Sequence, residues 1–116
     1  MQNILLVPDE ILQNTDLRCL FFRMDGAFLG SIDIAIRKAK TAVWFQMDTD
    51  ALGQRSQPGG ELFNIEHSND GLITFHGGVP LYCPKGERIG AIGVSGDTGP
   101  RDKIVAEAAA KVVKNC

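Results

Sequence analysis

The period of apolar positions changes several times along the chain, and each change marks an element. The aliphatic run NILLV (3–7) ends at Pro8-Asp9, and LRCLFFRM (17–24) is a second extended run with imperfect alternation. Such runs predict two strands paired with one another. After MDGAFLG the period lengthens, with Ile32, Ala35, Ile36, Ala39, Ala42 and Val43 recurring three and four residues apart. This predicts a helix capped by Ser31 and running to about Phe45, with one face toward a core. Asp33 stands four residues before Arg37 on another face, a spacing that supports the helix itself. MDTDALGQRSQPGGE (47–61) gathers turn residues and predicts a short capped turn followed by an exposed loop. GLITFH (71–76), VPLYC (79–83) and RIGAIGVS (88–95) predict three strands of an antiparallel meander, with PKGE as a tight turn. Thr98 then caps a last helix with Pro100 in its first turn and Ile104, Val105, Ala108, Ala109, Val112 and Val113 as its apolar stripe. The order β-β-α-β-β-β-α groups strands in runs, which is an α+β pattern of an antiparallel sheet covered by helices.

A chain of 116 residues has the length of one domain, here 1–116. Its hydrophobic share of 44% and charged share of 22% fit a globular chain, and no apolar run is long enough for a membrane span. The net charge of −2 without a basic block argues against nucleic acid as a partner. Cys19, Cys83 and Cys116 are odd in number and show no C-x-x-C spacing, against a disulfide framework or a zinc ribbon. With no signal-peptide pattern at the N-terminus, the expected compartment is the cytoplasm.

GERIGAIGVSGDTGPRD (86–102) carries Gly90, Gly93, Gly96 and Gly99 at every third position. The spacing satisfies neither the dinucleotide fingerprint nor the P-loop. In a strand these glycines alternate bulk with empty space, so something approaches the backbone closely: a packed helix, a ligand or a neighbouring subunit.

Several segments resemble one family. RMDGA (23–27) with Gly30-Ser31, KAKTA (38–42), GGVPL (77–81) and IGAIGVSG (89–96) with Asp102 downstream look like the GlcG/HbpS family, also called the haem-degrading or DUF336 domain. That group is similar to the C-terminal domain of PduO-type corrinoid adenosyltransferases. The resemblance runs from about residue 18 to the C-terminus. It implies a profilin-like α/β/α sandwich around a five-stranded antiparallel sheet, a homo-oligomer, and haem as the cofactor of some members. Two departures stand out. The family's N-terminal helix is expected to be absent, because the first strand starts at the N-terminus. PDEILQNTDLR (8–18) replaces a glycine-containing hairpin.

Candidate chemistry is sparse. His76 precedes Gly77-Gly78 at a strand end, where an imidazole either ligates iron or bonds to the turn backbone. His67 lies in the polar stretch NIEHSND and reads as solvated. Arg23 and Asp25 flank the end of the second strand, where the guanidinium either holds a carboxylate such as a haem propionate or fixes the turn through Asp25. Ser95 with Asp102 and a histidine lacks the G-x-S-x-G elbow of a hydrolase, and Asp97, Thr98 and Asp102 read as caps of the last helix. No catalytic set emerges. The expected ligand site is the Gly77–Pro80 turn, walled by Arg23, Asp25, His76, Gly77, Gly78, Pro80, Ser95 and the start of the last helix, with His76 as the metal ligand. The expected function is binding of a small ligand, haem by the resemblance. The alternatives are an enzyme acting on a small organic acid or haem-derived substrate, and an oligomeric accessory protein with no small ligand.

Overall fold

The computed structural model describes residues 3–8 and 20–113. Strands β1 (Asn3–Pro8) and β2 (Leu20–Arg23) are followed by helices α1 (Gly30–Phe45) and α2 (Thr49–Arg55). Strands β3 (Gly78–Tyr82) and β4 (Arg88–Ser95) and helix α3 (Gly99–Ala110) complete the fold. Among the described residues the sheet has four strands in the order β2-β1-β4-β3, all antiparallel. The link between β1 and β2, including the start of the second predicted strand, lies outside the described residues.

The sheet is covered on both faces. On one, Ala39, Ala42 and Val43 of α1 pack on Ala91, with Phe21 and Ile36 at the margin. On the other, Ala106 of α3 packs on Val79, Leu81, Ile92 and Val94. The α1 contact depends on Gly93. A Cβ there would collide with the Ala35 carbonyl oxygen and stand 2.7 Å from the Ala39 nitrogen, so this glycine makes room for a helix.

Four expectations change. Segment 71–76 pairs with no described strand, so a five-stranded sheet is not what the described residues form. Side chains of the helices take its backbone groups instead. Ile73 N donates to Thr41 Oγ1 at 3.2 Å, Arg37 Nη1 donates to the Gly71 carbonyl at 2.9 Å, and Thr49 Oγ1 donates to the Phe75 carbonyl at 2.6 Å. The supposed exposed loop opens with α2, anchored by buried Leu52 and by Gly53 against the Thr74 backbone. Ser31 does not cap α1, since its hydroxyl donates to the Phe28 carbonyl at 2.5 Å. The buried stripe of α3 runs through Asp102 and Ala106 with Val105, Ala109, Ala110 and Val113 beside it, leaving Ile104, Ala108 and Val112 exposed. Thr98 does cap α3, accepting from Arg101 N, with Pro100 in the first turn.

Cys83 is disulfide-bonded, whereas the number and spacing of the cysteines argue against a disulfide framework. No helix among the described residues is long and apolar enough to cross a membrane.

Candidate functional site

The rotation of α3 has one cause visible in the packing: Asp102 faces inward to meet a buried lysine. Lys38 lies on the core face of α1, one turn from Ala35 and Ala42. Its Nζ donates to Asp102 Oδ2 at 3.1 Å and to the Val94 carbonyl at 2.7 Å. The side chains are only 1% and 2% exposed. Burial, the largest influence, pulls the Lys38 pKa below its ordinary value, while Asp102 pulls it back up. Asp102 Oδ1 also accepts from Asp97 N at 3.1 Å. The pair therefore links α1, the end of β4 and the first turn of α3.

Gly77 is what lets this link pass the edge of the sheet. Its φ is +124°, and a Cβ there would stand 2.7 Å from Lys38 Nζ and 3.1 Å from the Asp102 Cβ. A Cβ at Gly78 would strike Thr49 Cγ2 and lie 2.5 Å from the Lys38 carbonyl. Gly77, Gly78 and Pro80 are all buried. Their polar groups are engaged too, since Val94 N donates to the Gly77 carbonyl at 2.8 Å and Gly78 N to Thr49 Oγ1 at 2.9 Å. These buried residues support the site from beneath.

Two hollows flank this buried link and share Phe75 as a wall. The first, of about 280 Å³, lies between the start of α1 and the start of α3. Phe28, Ile34 and Phe75 wall it, with Lys38, Ser95 and Asp102 among its polar lining. The second, of about 270 Å³, lies beside α2 and is lined by Asp50, Gln54, Thr74, Phe75 and His76 among others. His76 has a side chain 41% exposed, with Nε2 3.7 Å from Asp50 Oδ2. Its Nδ1 edge faces Gly99, where a Cβ would come within 3.1 Å. Lys103 of α3 binds Asp50 at 2.8 Å and Asp48 at 3.5 Å. The bond to Asp50 is the main reason that the Lys103 pKa rises, and burial is the main reason that the Asp48 pKa rises.

The expected site residues thus fall into separate places. Ser95 lines the first hollow and His76 the second. Arg23 and Asp25 line a third, open hollow with Phe22 and Met24. There Arg23 Nη2 donates to the Ala27 carbonyl at 2.8 Å, so the turn is fixed through backbone. His67 is exposed. Among the described residues no group of three or more His, Cys, Asp or Glu side chains is placed to hold a metal ion. Sequence reasoning missed the Lys38–Asp102 pair, taking Asp102 for a helix cap. Its signal was present, because Lys38 falls between Ala35 and Ala42 at core spacing, where a charge needs a partner.

This architecture is that of a known α+β class. The family of haem-degrading, HbpS-like proteins matches residues 10–111, and the chain belongs to it. An uncharacterised 15.0 kDa protein of Citrobacter freundii, from the dhaT-dhaS intergenic region, is 40% identical over 91 residues. That match spans 78% of this chain and 63% of the relative, so the chain accounts for less than two thirds of the relative's length. A solved complex of PduOC with haem superimposes with a TM-score of 0.84 at 31% identity, covering 95% of this chain and 76% of the other. The Klebsiella pneumoniae protein ORFY gives a TM-score of 0.85 at 32% identity, covering 95% and 72%.

Proposed function

We propose that this chain is a haem-binding module, with haem seated over Phe75 and His76 beside the start of α3. The carrying observation is a partly exposed imidazole next to a partly exposed aromatic ring, in a chain with the fold of a protein solved with haem. The residues present fit the group. Neither hollow reaches the usual ~300–1,000 Å³ of an enclosing ligand pocket, so a porphyrin would lie across the open face against Phe75 and Phe28, both exposed. His76 would hold the iron through its imidazole. Asp50, beside Nε2, would orient the ring, as carboxylates commonly do for ligating histidines. Glycine at position 99 leaves room for the imidazole beside the start of α3. Arg101, exposed in the first turn of α3 and 3.8 Å from Asp97, is suited to pair with a propionate. When bound, haem would supply an iron centre whose axial ligand sets its spectrum and potential. Catalysis is not part of this reading.

The test is the visible spectrum of haem-loaded protein. In this reading His76→Ala shifts or abolishes the Soret band with the far-ultraviolet circular dichroism unchanged, since His76 is not a core residue. An unchanged spectrum and affinity would remove His76 from the site.

The same reading includes self-association. β2 ends the described sheet, and Leu20, Phe22 and Met24 on and beside it are exposed. An apolar edge strand of this kind is a pairing template, and a second copy of the chain is its simplest cover.

A further inference from the structure

We propose that α3 of a second copy of this chain covers the half of the sheet formed by β1 and β2, so that each copy completes the other. The inference rests on the self-association reading and deepens it by naming the covering element.

Two apolar surfaces of the chain stand open. The first belongs to the sheet. Successive strand residues point to opposite faces, and Phe21 packs toward α1, so Leu20 and Phe22 point to the face that carries α3. Both are 56% exposed. The core beneath α3 draws only on β3 and β4 among the described strands, so α3 covers one half of that face and Leu20 and Phe22 stand on the other. Pairing two β2 edges would satisfy backbone groups and leave these side chains in water, so their cover has to lie on the face of the sheet.

The second surface belongs to α3. Ala106 faces the chain's own core, whereas Ile104 and Ala108, one turn apart, and Val112 just past the helix end are exposed on the outer side. Ile104 is 65% and Val112 70% exposed. Lys103 and Glu107 lie on the flank turned toward Asp48 and Asp50, so the outer stripe carries no charge between Arg101 and Lys111. A helix that is apolar on two sides is suited to two contacts.

The surfaces match in spacing, symmetry and size. Phe22 and Leu20 are about 6.6 Å apart along the strand, and Ile104 and Ala108 about 6 Å apart along the helix. A two-fold axis parallel to the strands, midway between two facing sheets, lays each α3 on its own β3–β4 half and on the partner's β1–β2 half. Both helices then form one layer between two sheets, and the contact is isologous. Leu20, Phe22, Met24, Ile104 and Val112 each leave on the order of 100 Å² exposed, against the ~150–250 Å² of a buried aromatic side chain. A symmetric pair would bury roughly 1,000 Å² from these residues alone, the size at which a specific interface begins. None of them lines the two hollows that share Phe75, so the dock is distinct from the haem face.

Light scattering of the full chain and of two charge variants tests the arrangement. The wild type should have about twice the chain mass of 12.6 kDa, or a multiple of that pair. Phe22→Lys and Ile104→Glu should each weaken self-association roughly ten-fold or more, because a charge enters both apolar contacts of the pair. Both positions are exposed, so far-ultraviolet circular dichroism should match the wild type. An equimolar mixture of the two variants should return to the paired mass, since one contact then brings opposite introduced charges together and the other is wild type. A wild type that stays at the mass of one chain would overturn the self-association reading and the docking with it. Unchanged association in Ile104→Glu, with Phe22→Lys dissociated, would keep β2 as the interface and overturn the α3 docking alone. A mixture that stays dissociated would overturn the docking too.

Discussion

Lys38 and Asp102 each cost several kcal/mol to desolvate, a penalty offset only because they lie 3.1 Å apart and bond to backbone groups. Lys38→Met leaves Asp102 buried without its cation and should lower the unfolding free energy by roughly 3–5 kcal/mol, read from urea denaturation. Adding Asp102→Leu should recover most of that loss, because two apolar groups replace two desolvated charges. A double variant as unstable as the single one would show that the pair does more than neutralise itself. His76, Ser95 and Arg23 were legible as candidate residues, since each is a polar group near a strand end. What the sequence could not show was their separation into three hollows, which depends on how α1 and α3 cross the sheet. Asp102 illustrates the limit: its position by a helix start suits a cap, and only the inward lysine from 64 residues away gives it another role.

Elements were read best where one period dominates. α1 ends at Phe45 as its three- and four-residue spacing predicts, and β4 spans the predicted run RIGAIGVS, 88–95. Segment 71–76 was misread because its composition suits a strand while Thr41, Thr49 and Arg37, all distant in sequence, take its backbone groups. The glycine period is answered at this scale as well. Gly93→Ala would push the α1 backbone off the sheet and should cost about 1–3 kcal/mol or more by thermal unfolding. Gly30→Ala, with no heavy atom within 4 Å of the added carbon, is the control and should be neutral or slightly stabilising. The tie from α3 to the start of α2 is electrostatic. Lys103 has a pKa raised mainly by its bond to Asp50. The folded value exceeds the unfolded one, so this contribution is fully present below about 10.5 and lost as pH rises through the folded value. Lys103→Met should therefore flatten the alkaline limb of the stability profile, and an identical limb in both proteins would count against the tie.

At the scale of the whole molecule, the sheet is covered on both faces, and among the described residues it still ends in a strand, β2, whose flank is apolar and exposed. Multi-angle light scattering should find a species at least twice the chain mass of 12.6 kDa, and Phe22→Lys should shift it toward monomer without unfolding it. A wild-type monomer persisting at high concentration would remove self-association from the account. The central claim remains that this member of the HbpS-like family holds haem on the face bearing Phe75 and His76. Its most direct test is titration of hemin into the purified chain, followed at the Soret band against a matched globular protein of similar charge. The account predicts saturation at one haem per chain, with a Soret maximum distinct from that of free or nonspecifically adsorbed hemin. A linear, unsaturating response equal to that of the control protein would contradict it.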